Sequence, residues 1–303
     1  MGSQGTSLFT ALLWFRTALA VVYVGVPALL VGVSVWWATR RSRRDAADGL
    51  GAVARRARHG RLTGLAAGAA AGVVAIWYAE GLVAPALVAI GYLFGVLREL
   101  LSVPVPSGPV RTALVVSRES NRYLPRWAVW VSVVTGVLCI LTPLLFAVLP
   151  RVHYLPWSPD VAGQQFTIPG GSLSWPAAAT SVPLAAVAAC GIVAGTLLAR
   201  RITLLPPLAD DPVVDERLRC RIGRAGAGAM IGIELLALAA LTIAASGGLA
   251  VPGVNGGAAY LASRIMLWTG LGLAVAAILA WSVLGARRLA RVTADVAGGV
   301  VGA

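Results

Sequence analysis

The chain has 303 residues, 58% of them hydrophobic and 12% charged, with a mean hydropathy of +0.82 and a formal net charge of +13. Soluble domains carry roughly 25% charged residues, so this composition excludes a water-soluble globule, a disordered chain and a disulfide-stapled secreted fold. A polytopic helical membrane protein is what remains.

Seven apolar runs approach the ~20 residues that a ~30 Å hydrocarbon core requires. They predict spans at 17–38, 62–79, 82–101, 127–149, 176–199, 225–247 and 263–285, in one all-α transmembrane domain covering 1–303. Span 1 contains Pro27 and stops at Arg40, Arg41, Arg43 and Arg44. Spans 2 and 3 turn at Tyr78-Ala79-Glu80-Gly81, which suits either two full crossings or a re-entrant hairpin. Pro143 predicts a kink in span 4. Between spans 4 and 5, the loop bearing His153, Asp160 and Gln164-Gln165 reads as solvated. Asp211 and Pro212 fit an N-cap and first helical residue, opening a helix through Asp215 and Arg219 into span 6.

Charge sets the orientation. All 25 basic residues are arginine, and all but Arg16, Arg151 and Arg264 fall in alternate inter-span segments or the C-terminal tail. The positive-inside rule makes those segments cytoplasmic, giving an outside N-terminus and an inside C-terminus. Amphipathic rings fall at the span borders, as membrane anchors do. Trp36, Trp37, Trp127, Trp130 and Trp281 mark the inner edge, and Trp77, Tyr78, Trp157, Trp175 and Trp268 the outer. Cys139 and Cys190 read as packing residues, and Cys220 as a reduced surface thiol.

Glu234 is the acidic residue deep inside a span, ~14 Å along the helix from Ala225. An ionised carboxylate at that depth costs several kcal/mol, so it must be protonated, paired or watered. Of the intramembrane groups, hydroxyls such as those of Thr135, Tyr92 or Thr269 are the available partners. Three readings are open: a neutral hydrogen bond holding helices together, a proton- or ion-handling site, and a partner for a basic group on another subunit.

Close helix packing is written in glycine. Gly64, Gly68 and Gly72 stack on span 2, with Gly91/Gly95, Gly191/Gly195 and Gly228/Gly232 on spans 3, 5 and 6. Small residues four apart let backbones approach where lipid supplies no hydrophobic drive. The seams fit packing within the chain, with homo-oligomer contact as the alternative.

Arg111, Arg118 and Arg122 fall on one helical face after a Pro-rich stretch, and Arg217 and Arg221 stand at i, i+4. These read as contacts to an anionic inner leaflet or to a cytoplasmic partner. No aromatic interleaving or nucleic-acid fold accompanies them, so nucleic-acid binding is not expected. The two histidines, His59 and His153, lie outside the spans, and no phosphate loop or zinc-protease motif occurs. Neither a cofactor nor an intramembrane metal is expected.

The stretch Pro206-Pro207-Leu208-Ala209-Asp210-Asp211-Pro212-Val213-Val214-Asp215-Glu216-Arg217-Leu218-Arg219, running into a Gly/Ala-rich span, resembles an element of uncharacterised actinobacterial multi-span membrane proteins. It covers about a tenth of the chain. The resemblance implies a setting near ABC transporters or the envelope, and carries over no functional residue. Together these readings predict a non-catalytic plasma-membrane protein, accessory to a transport or envelope system and able to associate with an ABC-transporter or other membrane subunit. The alternative is a proton- or ion-coupled small-molecule transporter using Glu234.

Overall fold

Helices dominate the computed structural model, which describes residues 17, 21–41, 51–78, 81–101, 123–148, 152–154, 160–161, 164–165, 171–173, 178–204, 212–249 and 258–286. A π-helical turn, Val21–Gly25, leads into α1 (Val26–Arg41). Then come α2 (Gly51–Tyr78) and a 3-10 turn, Gly81–Val83, that opens α3 (Ala84–Leu101). After α4 (Arg126–Val148) the chain forms two small antiparallel ladders. One joins β1 (Val152–Tyr154) to β4 (Gly171–Leu173), and the other joins β2 (Asp160–Val161) to β3 (Gln164–Gln165). The remaining helices are α5 (Ala178–Leu204), α6 (Pro212–Leu249) and α7 (Ala258–Ala286).

Six helices are long and apolar enough to cross a bilayer: Arg58–Trp77, Gly81–Leu101, Arg126–Val148, Ser181–Leu204, Asp215–Gly247 and Leu261–Leu284. They match six of the seven predicted spans. The first differs, because α1 has 16 residues and the π turn sits directly before it. Proline cannot donate a backbone hydrogen bond, and a π turn just ahead of Pro27 is where such a defect is absorbed. Helix α2 also starts earlier than predicted, so Arg55, Arg56, Arg58 and Arg61 lie on a helix and not in a loop.

Side-chain size decides which helix is central. From Ala225 to Ala240, α6 is rich in Ala and Gly, and neighbours close on it from every side. It packs against α3, α4, α5 and α7. Within its span 78% of residues are buried, against 22% for α4 and for α7, whose Val, Leu and Ile side chains largely face outward. Helix α1 lies against α7 and α2.

The glycine seams close within the chain. Gly64 abuts the backbone of Gly91 and Gly95, Gly68 that of Leu87 and Gly91, and Gly72 that of Ala84. Positions rise on α2 as they fall on α3, so the two helices run antiparallel with main chains in contact. Gly228 and Gly232 rest on Trp281, with Gly228 also against Leu284. Trp281 was expected as an interfacial anchor and is instead a core residue, 1% exposed, because these two glycines leave room for its indole. Trp77, Trp127, Trp130 and Trp268 are exposed, as anchors must be. Trp36, Trp37, Trp157 and Trp175 have side chains outside the described residues.

A Cβ added at Gly68 would lie 2.6 Å from the carbonyl oxygen of Leu87 and 3.0 Å from the Cα of Gly91, with only backbone to yield. Gly68→Leu is therefore expected to lower stability by about 1–3 kcal/mol. Gly272→Leu, where an added Cβ meets nothing within 4 Å, should leave the melting temperature in detergent unchanged. Equal melting of the two variants would refute the seam.

Candidate functional site

The sites are built where polar side chains are held inside the bundle. On α4 the buried residues are Ala128, Ser132, Gly136 and Cys139, spaced three or four apart along one face. That face meets α6 at Glu234, which is 0% exposed. Ser132 Oγ donates to Glu234 Oε1 at 2.7 Å, and Thr135 Oγ1 stands 3.1 Å from Oε2. The Thr135 hydroxyl also reaches its own helix, donating to the carbonyl of Val131 at 2.7 Å. One turn on, the Cys139 thiol points to the main-chain oxygen of Glu234 at 3.5 Å.

Glycines make the space. A Cβ at Gly136 would come 3.5 Å from the carboxyl carbon of Glu234, and one at Gly191 would come 3.7 Å from Oε1. The carboxyl therefore occupies a notch between α4, α5 and α6 that exists because two facing residues lack side chains. Thr135 was anticipated as a partner. Ser132 was missed, although its signal is in the sequence: a small polar residue at helical spacing from Ala128, Thr135, Gly136 and Cys139, in a helix otherwise rich in Val, Leu and Trp. Tyr92 lies elsewhere, edge-on to Trp281 with ring centroids 5.1 Å apart.

A second polar group lies where the spanning part of α2 begins and α3 ends. Arg61 Nε donates to Glu99 Oε2 at 2.7 Å, with both side chains nearly fully buried. Arg61 was expected among solvated cytoplasmic arginines. It is drawn inside because Gly60 and Gly95 bring α2 and α3 into contact and Glu99 lies across from it. Tyr92 is within electrostatic reach of Arg61, Glu99 and Arg221. Removing one member of such a buried pair leaves a bare charge and typically costs about 3–5 kcal/mol.

The third group lies on the first turns of α6, which opens at Pro212 as expected; Asp211 is outside the described residues. Asp215 and Arg219 form the expected i, i+4 pair, at 3.0 Å. They are not on a solvated surface, however. Arg219 is 0% exposed and also donates through Nη1 to the carbonyl of Ile202. Ile202 is in the last turn of α5, whose terminal carbonyls have no partner within the helix, so the guanidinium is pulled in as a cap. Tyr123 donates its hydroxyl to Glu216 Oε2 at 3.1 Å. Cys220, expected as a surface thiol, is 5% exposed on the same helix, and Cys190, expected to pack, is exposed on α5. Arg217 and Arg221 are half-buried, while Arg111, Arg118 and Arg122 lie outside the described residues. Among the described residues no group of three metal-ligating side chains occurs.

The Glu234 contacts make the site a hydrogen-bonded clasp between α4 and α6. Interhelical bonds of this kind contribute about 0.6–2 kcal/mol in membranes. Ser132→Ala is expected to lower the melting temperature by a few degrees, and Glu234→Gln, which keeps an acceptor for Ser132, by less. Tryptophan fluorescence during heating in detergent would read both, and a Ser132→Ala protein as stable as wild type would dissolve the clasp. Comparison with protein-family models, curated proteins and solved structures found no match for this chain.

Proposed function

We propose that this chain is a seven-span plasma-membrane protein with its N-terminus outside and its C-terminus inside, serving as a non-catalytic accessory component of a transport or envelope system. Six helices of spanning length, together with the Val21–Arg41 segment as the first crossing, support the span count. The arginine distribution supports the orientation, since it leaves every predicted loop on one side or the other without exception.

One observation carries the choice of an accessory role over a transporter: the sealing of Glu234. A carboxyl that moves protons or ions across a membrane must be reached from water on each side in turn. Here its oxygens engage hydroxyls of α4, and helix backbones close around it. That is the arrangement of a packing residue. The basic inner end, with Arg217 and Arg221, then serves to hold anionic lipid or a partner subunit.

Two measurements test this reading. Arg200 is exposed on the last turns of α5. In a Cys190→Ser background, Arg200→Cys should react with a membrane-impermeant maleimide only after cells are opened, and labelling of intact cells would invert the topology. Gentle purification from native membranes should recover a nucleotide-binding subunit or another permease in stoichiometric amount. Recovery of this chain alone, or with copies of itself, would overturn the accessory role in favour of a transporter.

A further inference from the structure

One hydroxyl proton in the Glu234 clasp has competing acceptors, and the distances choose between them. Thr135 Oγ1 stands 2.7 Å from the carbonyl oxygen of Val131, one turn back on its own helix, 3.2 Å from that of Ser132 and 3.1 Å from Glu234 Oε2. A hydroxyl has a single proton and two lone pairs. Other threonines in the bundle show where that proton rests. Thr63, Thr142 and Thr242 donate to the carbonyl four residues back, at 2.9, 2.6 and 3.0 Å. The Thr135 proton follows the same short path to Val131, which turns a lone pair of Oγ1 toward Oε2. Two oxygens at hydrogen-bond distance need a proton between them. The carboxyl itself is the group left to supply it.

The charges around the site agree. Glu234 is fully buried, and besides burial the groups acting on its carboxyl are the Ser132 and Thr135 hydroxyls. The titratable group facing it is the Cys139 thiol, which brings no positive charge. Charged residues of α6 itself stop at Arg224, ~15 Å along the helix. Among the described residues, the charged side chains of the helices packed on α6 are Arg98 and Glu99 on α3, Arg126 on α4, Arg200 and Arg201 on α5, and Arg264 on α7. All stand within two turns of a helix end. Tyr92 faces Arg61 and Glu99, and Cys190 is exposed on α5. An ionised carboxylate would therefore sit in hydrocarbon with no counter-charge, at a cost of several kcal/mol. A neutral carboxyl needs only one donor and one acceptor here, and Ser132 and Thr135 supply them.

We propose that the clasp is a proton-binding site: at neutral pH Glu234 carries a proton on Oε2 and donates it to Thr135, while Ser132 donates to Oε1 and Thr135 to Val131. Each proton is used once. The chain of hydrogen bonds ends on a main-chain carbonyl, which holds the proton in place and passes it no further. This deepens the packing role of Glu234 and does not depend on which subunit co-purifies, so the two can fail separately.

The test is infrared absorption of the folded protein in detergent at neutral pH, where a neutral carboxyl shows a C=O stretch separate from the carboxylate bands. Glu99 and Asp215 are paired with arginines and contribute to the carboxylate bands. The wild-type protein is expected to show the neutral band, and Glu234→Gln to lose it while its carboxylate absorption stays the same. Thr135→Val, which removes the acceptor and keeps the shape, should shift the band to higher frequency, and Thr135→Ser should leave it near the wild-type position. A Glu234→Gln protein that loses carboxylate absorption and not the neutral band would overturn the proposal, as would a band that Thr135→Val leaves unmoved. A wild-type spectrum without a neutral carboxyl band would overturn it whether or not the variants fold.

Discussion

Hydrocarbon offers no hydrogen bonds, and the placement of the buried polar side chains follows from that constraint. Most of those described above join two elements. Ser132 and Thr135 tie α4 to α6 through Glu234, Arg61 and Glu99 tie α2 to α3, and Arg219 ties α6 to the end of α5. At the opposite end of α6, Ser263 of α7 donates to the carbonyl of Ser246 at 3.0 Å. Apolar contact alone would let the helices slide against one another, because lipid tails compete for the same surfaces. The polar contacts fix register at a few points, and the rest of each interface needs only to fit.

Glycine and alanine supply the fit. Helix α6 can touch four others because small residues cover its circumference, and α2 can lie against α3 because Gly60, Gly64 and Gly68 face Gly91 and Gly95. The bulky residues are correspondingly displaced to α4 and α7, the helices with the largest exposed apolar faces. Polar groups are admitted where glycine has opened a space for them: Glu234 between Gly136 and Gly191, Trp281 on Gly228 and Gly232, Arg61 beside Gly60 and Gly95.

These relations explain what could be read from the chain itself. Span positions follow from long apolar runs, which register independently of tertiary structure, and six of them correspond to helices of spanning length. Glycines at i, i+4 pointed to the α2–α3 seam for the same reason. Partners across the bundle are another matter. Arg61 sits in a run of arginines and reads as solvated until Glu99 is placed opposite it, and Arg219 reads as surface until the end of α5 is known. Trp281 lies at a span edge, where an anchor belongs, and only the neighbouring glycines show that it turns inward. Thr135 could be named as a partner of Glu234 because it is polar and lies within a span. Ser132 meets the same description and needed the geometry of α4 to be noticed.

The Thr135 hydroxyl, shared between Glu234 and the carbonyl of Val131, has a consequence for the order in which the protein is made. Helix α4 precedes α6 in the chain and enters the bilayer first. Its hydroxyl is satisfied by its own backbone during that interval, so α4 can wait in lipid at little energetic cost. Glu234, by contrast, has its carboxyl met by hydroxyls of α4, a different helix. The late helix therefore carries the group whose partners stand on the early one. Docking of α6 is favoured onto the one face of α4 that carries Ser132 and Thr135.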